Sequence, residues 1–119
     1  MSATDRRMAT SSDFVASMSV IGVAADGGEH VFVVGVAQPI QQATGEWACP
    51  TSTHDRPAPQ PVYGEDSLQA LCLGLSLIRR RLDAFLEDGG RLFLVEGRAE
   101  LRRDDLAAWF SLVGSDSAG

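Results

Sequence analysis

The sequence predicts an α+β domain: a three- to four-stranded antiparallel meander packed against one long helix, with a short helix at the carboxyl end. Two observations carry this. The first third of the chain holds β-branched and aromatic runs broken by Asp26-Gly27-Gly28, a tight-turn signal. From Ser67 to about Asp88 the apolar residues instead recur at spacings of three and four, the period of a helix.

The strands come first. Phe14 to Ala24 alternates, with Phe14, Ala16, Met18 and Val20 on one face and Val15, Ser17, Ser19 and Ile21 on the other. His30 to Ala37 is the strongest strand in the chain. Its centre, Val31-Phe32-Val33-Val34, is apolar on both faces, so it is expected in the middle of the sheet. Gln41 to Gly45 reads as a turn, and Glu46 to His54 as a third strand. Pro50 has no N–H to give a ladder, so that strand is an edge or is bulged there. The three alternating prolines of Arg56 to Pro61 read as a rigid extended connector.

The long helix follows. Asp66 is placed to cap it, with Gln69 three residues on completing a capping-box pattern. Leu68, Leu71, Cys72, Leu75, Ile78, Leu82, Phe85 and Leu86 form its main apolar stripe, and Gly89-Gly90 its stop. At about 33 Å it can cover a sheet face. A second stripe of Ala70, Leu73, Leu77 and Ala84 offers a surface for the tail segments to cover, or for a second chain in a homodimer. Gly74 weakens the helix by roughly 1 kcal/mol, which a close approach by another element would explain. Arg91 to Glu96 reads as a fourth strand. A short helix capped by Asp104 or Asp105 then carries Leu106, Trp109, Phe110 and Val113. Residues 1–12 and 115–119 read as flexible tails around one domain at 13–114, and Met8 is an alternative start to Met1.

Composition narrows the function. The net charge is −6 and all ten basic residues are arginine. An acidic chain repels phosphate backbones, so nucleic acid is not an expected partner, whereas a basic protein is. Without an 18-residue apolar run or an apolar leader, neither a membrane span nor export is expected, which leaves the cytoplasm. Two cysteines are too few for a disulfide framework.

No pattern for catalysis or a metal stands out, and no cofactor is expected. Cys49, His54 and Asp55 have the residue types of a Cys-His-acid arrangement. Positions 49 and 54 nevertheless point to opposite faces of a strand, and the surroundings are not electropositive. The same parity argues against a zinc site there. Arg79-Arg80-Arg81 fans over about 200° of helix and reads as a solvated face, with an acidic partner as the functional alternative.

Two stretches carry a resemblance. Trp47-Ala48-Cys49-Pro50, and Tyr63-Gly64-Glu65-Asp66-Ser67-Leu68-Gln69-Ala70-Leu71, follow a Val-rich strand that ends in Gln38-Pro39. In this order they resemble a family of small uncharacterised bacterial proteins with W-x-C-P and Y-G-x-D-S-x-Q-A-L motifs, over roughly residues 30 to 86. The resemblance implies a structural unit and no activity. Physically, it joins the third strand to the helix start, and places a candidate binding groove at Trp47, Tyr63, Asp66 and Gln69. The expected function is a non-catalytic, acidic protein-binding module, by analogy an immunity-type protein that neutralises a basic partner. The alternative is a small-ligand-binding protein or enzyme with its pocket at that groove.

Overall fold

A computed structural model describes residues 14–110. The expected tails, the choice of Met1 or Met8, and Val113 lie outside them. The described elements are β1 (Phe14–Val23), β2 (Glu29–Ala37), β3 (Ile40–Gln41), β4 (Trp47–Ser52), β5 (Gln60–Gly64), α1 (Ser67–Glu87), β6 (Arg91–Leu94), β7 (Glu100–Leu101) and α2 (Arg103–Trp109).

The class is α+β as expected, but the sheet has seven strands where three or four are expected. All pairings are antiparallel. β4 is bordered by β5 on one side and by β2 and then β3 on the other, since Thr51 and Ala48 are each paired twice. The order across the sheet is therefore β5, β4, β2 with β3, β1, β6, β7. Between Val36↔Thr51 and Ile40↔Ala48, four steps on one side match three on the other. β3 thus continues β2 past a one-residue bulge at Gln38-Pro39. Pro50 sits opposite this bulge, which is how a proline is tolerated in a strand paired on both sides. β2 lies between β4 and β1, in the interior position its sequence predicts.

The proline connector is shorter than expected, because Gln60 and Pro61 already pair with Thr51 and Pro50 as the start of β5. Pro61 fits there because β5 is an edge strand. β3 and β7, of two residues each, are too short to show alternation in sequence.

α1 starts and stops as predicted. The Asp66 carboxylate accepts a hydrogen bond from the Gln69 N–H at 2.7 Å. The chain leaves α1 through Gly89 at φ 94°, a left-handed conformation that suits glycine. Most of the predicted stripe faces the core, with Ile78 and Leu82 buried and Leu71, Leu75, Phe85 and Leu86 packed against it, but its edges shift. Ala70, Gly74, Leu77, Ile78 and Leu82 are buried, while Leu68 is 68% exposed and Cys72 is only half-buried. The stripe intended for a second copy is therefore partly core: Ala70 and Leu77 face the sheet, and Leu73 and Ala84 face outward. α2 is capped one turn differently from expectation. Arg102 is its N-cap, and the Asp105 carboxylate accepts from the Arg102 N–H at 2.9 Å.

Register assigns the two sheet faces. Val20, Val34, Val36, Cys49, Thr51, Leu92 and Leu101 share one face and are buried beneath the helices. Ile78 and Leu82 of α1 and Leu106 of α2 complete this core. No described helix covers the other face.

Candidate functional site

Three places can be built from the residues upward. The first is the junction of β4, β5 and the start of α1, where the sequence motifs meet. The Gln69 side chain accepts from the Glu65 N–H at 2.6 Å, one residue short of the reciprocal bond of a capping box. Gly64 is buried so close to α1 that a β-carbon there would stand 2.5 Å from the Ala70 nitrogen. One turn on, Gly74 lies over Thr51, Val36 and Cys49. This is the close approach that a mid-helix glycine predicts. Cys49 is fully buried, and its thiol donates to the Ala37 carbonyl at 3.5 Å. Burial pushes that thiol pKa up against a smaller opposite pull from the Thr51 hydroxyl, the reverse of what a nucleophile needs.

The structure brings Asp66 and Gln69 together, as a cap. It separates Trp47 from Tyr63. Trp47 pairs with Gly64, and Ala48 with Tyr63, so the two aromatic residues point to opposite faces. Trp47 is half-buried against the core, and Tyr63 is 49% exposed on the uncovered face.

The second place is a cleft of about 350 Å³ near the C-terminal end of α1, lined by Gly22, His30, Val31, Phe32, His54 and Phe85. His54 packs against Phe32, with ring centroids 5.5 Å apart, and edge-on against Phe85 at 5.3 Å. Its Nδ1 is buried without a hydrogen-bond partner. Burial lowers the imidazole pKa; Asp55 pulls it up and Arg81 pushes it further down. Asp55 accepts from the Thr53 hydroxyl at 2.8 Å and pairs with Arg81, so its carboxylate is held by partners that leave it little basicity. Cys49 lies buried within the sheet under Gly74, whereas His54 and Asp55 follow the end of β4. Of the arginine run, Arg79 pairs with Asp83 at 3.5 Å and Arg81 with Asp55, while Arg80 is exposed. Among the described residues, no three His, Cys, Asp or Glu side chains converge as a metal site would require.

The third place is the uncovered sheet face. It carries two apolar rows, each three strands wide. One is Val31–Ile21–Phe93 across β2, β1 and β6; the other is Ile40–Ala48–Tyr63 across β3, β4 and β5. Val31 is 65% exposed and Ile40 57%. Between the rows lie Val33, Gly35, Ser17, Ser19, Pro50 and Ser52, all small or uncharged. The charged residues of this face stand at its margins: Glu29 beside Val23, and Arg91 bonded to Glu100. Sequence reading missed Val31 and Ile40 as site residues. The signal is the run Val31-Phe32-Val33-Val34, apolar on both faces, which by itself predicts only a central position in the sheet.

No helix among the described residues is long and apolar enough to cross a membrane. No protein-family model, curated protein or solved structure matches the chain.

Proposed function

We propose that this chain is a non-catalytic protein-binding module that works through the open face of its sheet. One observation carries the reading: β2 is apolar on both faces, and the described helices cover only one of them. An antiparallel sheet that faces water on one side ordinarily alternates apolar and polar residues. Here Val31, Val33 and Ile21 stand where polar residues are expected. Val31, Ile40 and Tyr63 are exposed on this face, while Ile21 and Ala48 at the centres of the two rows are only 3% and 7% exposed. Exposed apolar side chains gathered on a sheet face mark interaction sites.

The surplus of acids supports a basic protein as the external partner, the immunity-type form of the reading. Among the described residues, thirteen Asp and Glu stand against eight Arg. Most of them lie off the open face, so they speed the approach of a basic partner and leave its retention to the apolar face. The alternative, a small-ligand protein, is favoured by the His54 cleft, with its aromatic walls and unpartnered Nδ1, and not by the Trp47–Tyr63 groove.

Affinity capture from the native cell, comparing the wild type with Val31→Glu, tests the proposal. A polypeptide retained in stoichiometric amount by the wild type and lost by the variant is the expected result. Equal capture by both proteins, or a copurified small molecule with no polypeptide, overturns it.

A further inference from the structure

We infer that the open sheet face is closed by a second copy of this chain, giving a face-to-face dimer with helices on both outer surfaces. This rests on reading that face as a protein-binding surface, and it names the occupant.

The sheet edges are poor docking sites. β5 carries Pro61 on one edge, and β7 on the other is only two residues long. Both are devices that discourage a further strand from adding. A polypeptide that covers this sheet therefore comes to its face.

Charge selects the occupant. The chain carries −6, so most of its surface repels a second copy. The open face is the exception. Arg91, bonded to Glu100, stacks over the Phe93 ring at its β6 end, with Glu29 in the same row as Arg91, and from Val31 to Ile40 and Tyr63 the face carries no charge. A basic partner gains nothing electrostatic there, whereas an identical face meets no like-charge penalty.

Shape agrees. The two apolar rows lie on opposite sides of the β2–β3 line and near its opposite ends. A two-fold axis in the plane between two such sheets, along or across the diagonal that joins the rows, seats apolar row on apolar row. An isologous interface requires this self-complementarity. The small residues between the rows allow two sheets to approach to the usual separation of about 10 Å.

Area is sufficient. Five strands at about 4.8 Å spacing and six residues of about 3.3 Å make a patch near 24 by 20 Å, or roughly 500 Å². Two copies bury about 1,000 Å² together, the lower bound for a specific interface, which suits a reversible dimer.

Sedimentation velocity of the full-length chain across on the order of 1 to 100 µM tests the inference. The wild type is expected to shift from monomer to dimer. Val31→Glu and Tyr63→Glu, both at exposed positions, should weaken dimerisation at least about tenfold each while leaving the circular dichroism spectrum unchanged. Leu73→Glu, on the outer side of α1, should leave it unchanged. A monomer at every concentration, or a dimer broken by Leu73→Glu and not by the two face variants, overturns the inference. If the wild type is monomeric but captures a different polypeptide that Val31→Glu loses, this inference fails and the module reading stands.

Discussion

Gly74 of α1 packs on Thr51 of β4 so closely that a β-carbon built on the glycine stands 2.6 Å from the Thr51 hydroxyl oxygen. That hydroxyl donates to the Cys49 carbonyl at 3.1 Å, and the residue is fully buried, so it has little freedom to retreat. The same β-carbon would also press on Val36 at 3.2 Å. In an exposed helix, glycine to alanine stabilises by about 1 kcal/mol. Here overpacking of about 1–3 kcal/mol opposes that gain and reverses the sign. Gly74→Ala should lower stability by about 1 kcal/mol in urea unfolding. Thr51→Ala removes the clashing atom, so the double variant should lose less than the two single changes summed. Simple additivity would refute the contact.

The cap at Asp66 gives a second expectation. Its carboxylate accepts from the Gln69 N–H at this exposed helix start. Asp66→Ala should cost about 0.5–2 kcal/mol, and Asp66→Asn much less, because the amide oxygen still accepts. Equal losses for both would assign the effect to charge at the helix start, and no loss in either would remove the capping role.

The resemblance motifs acquire a physical content from these two sites. Gly64 of β5 meets the Ala70 backbone of α1, Gly74 lies over the Cys49 and Thr51 side chains of β4, and Asp66 and Gln69 hold the helix start beside them. Substitution of Gly64 by alanine should therefore be more damaging than at Gly74. The obstruction at Gly64 is the Ala70 backbone at 2.5 Å, which cannot rotate away as a side chain can. Gly64→Ala is expected to lose about 2 kcal/mol or more in thermal or urea unfolding. A loss smaller than that of Gly74→Ala would show that β5 can lift away from the helix without consequence for the rest of the sheet.

Much of this architecture was legible in the sequence, and the exceptions have local causes. The first two strands, the long helix and its cap and stop announce themselves through alternation, helical period, Asp66 and Gly89. β5 was concealed by Pro57, Pro59 and Pro61, because proline is compatible with a strand only at an edge, and edge position is a tertiary fact. β3 and β7 are made by their neighbours and carry no period of their own. The stripe of α1 is legible except at its margin, where Ala70 and Gly74 are buried against the sheet and small residues contribute little to an apolar count. Trp47 and Tyr63 were joined into one groove because the pairing of β4 with β5, which sends them to opposite faces, could not be known without β5.

The last expectation concerns pH and His54. The imidazole is wedged between Phe32 of β2 and Phe85 of α1, with Asp55 and Arg81 beside it and His30 lining the same cleft. Burial lowers its pKa in the folded protein below the usual value of about 6.5. Between those two values the unfolded chain binds more protons than the folded one, so stability rises with pH there. The contribution is fully present above about 6.5 and is lost as pH falls through the lower folded value. Asp55, also depressed despite an opposing effect of burial, loses its contribution only below the ordinary carboxylate range near 3.9, so the two windows separate. His54→Phe keeps the ring contacts and removes the titrating group. Urea midpoints measured from pH 7.5 to 4.5 should fall for the wild type as the solution is acidified below about 6.5, and fall less for the variant. His30 is present in both proteins and cancels in the comparison. Parallel curves would show that His54 does not resist protonation in the folded state, and that the cleft is wetter than its aromatic walls imply.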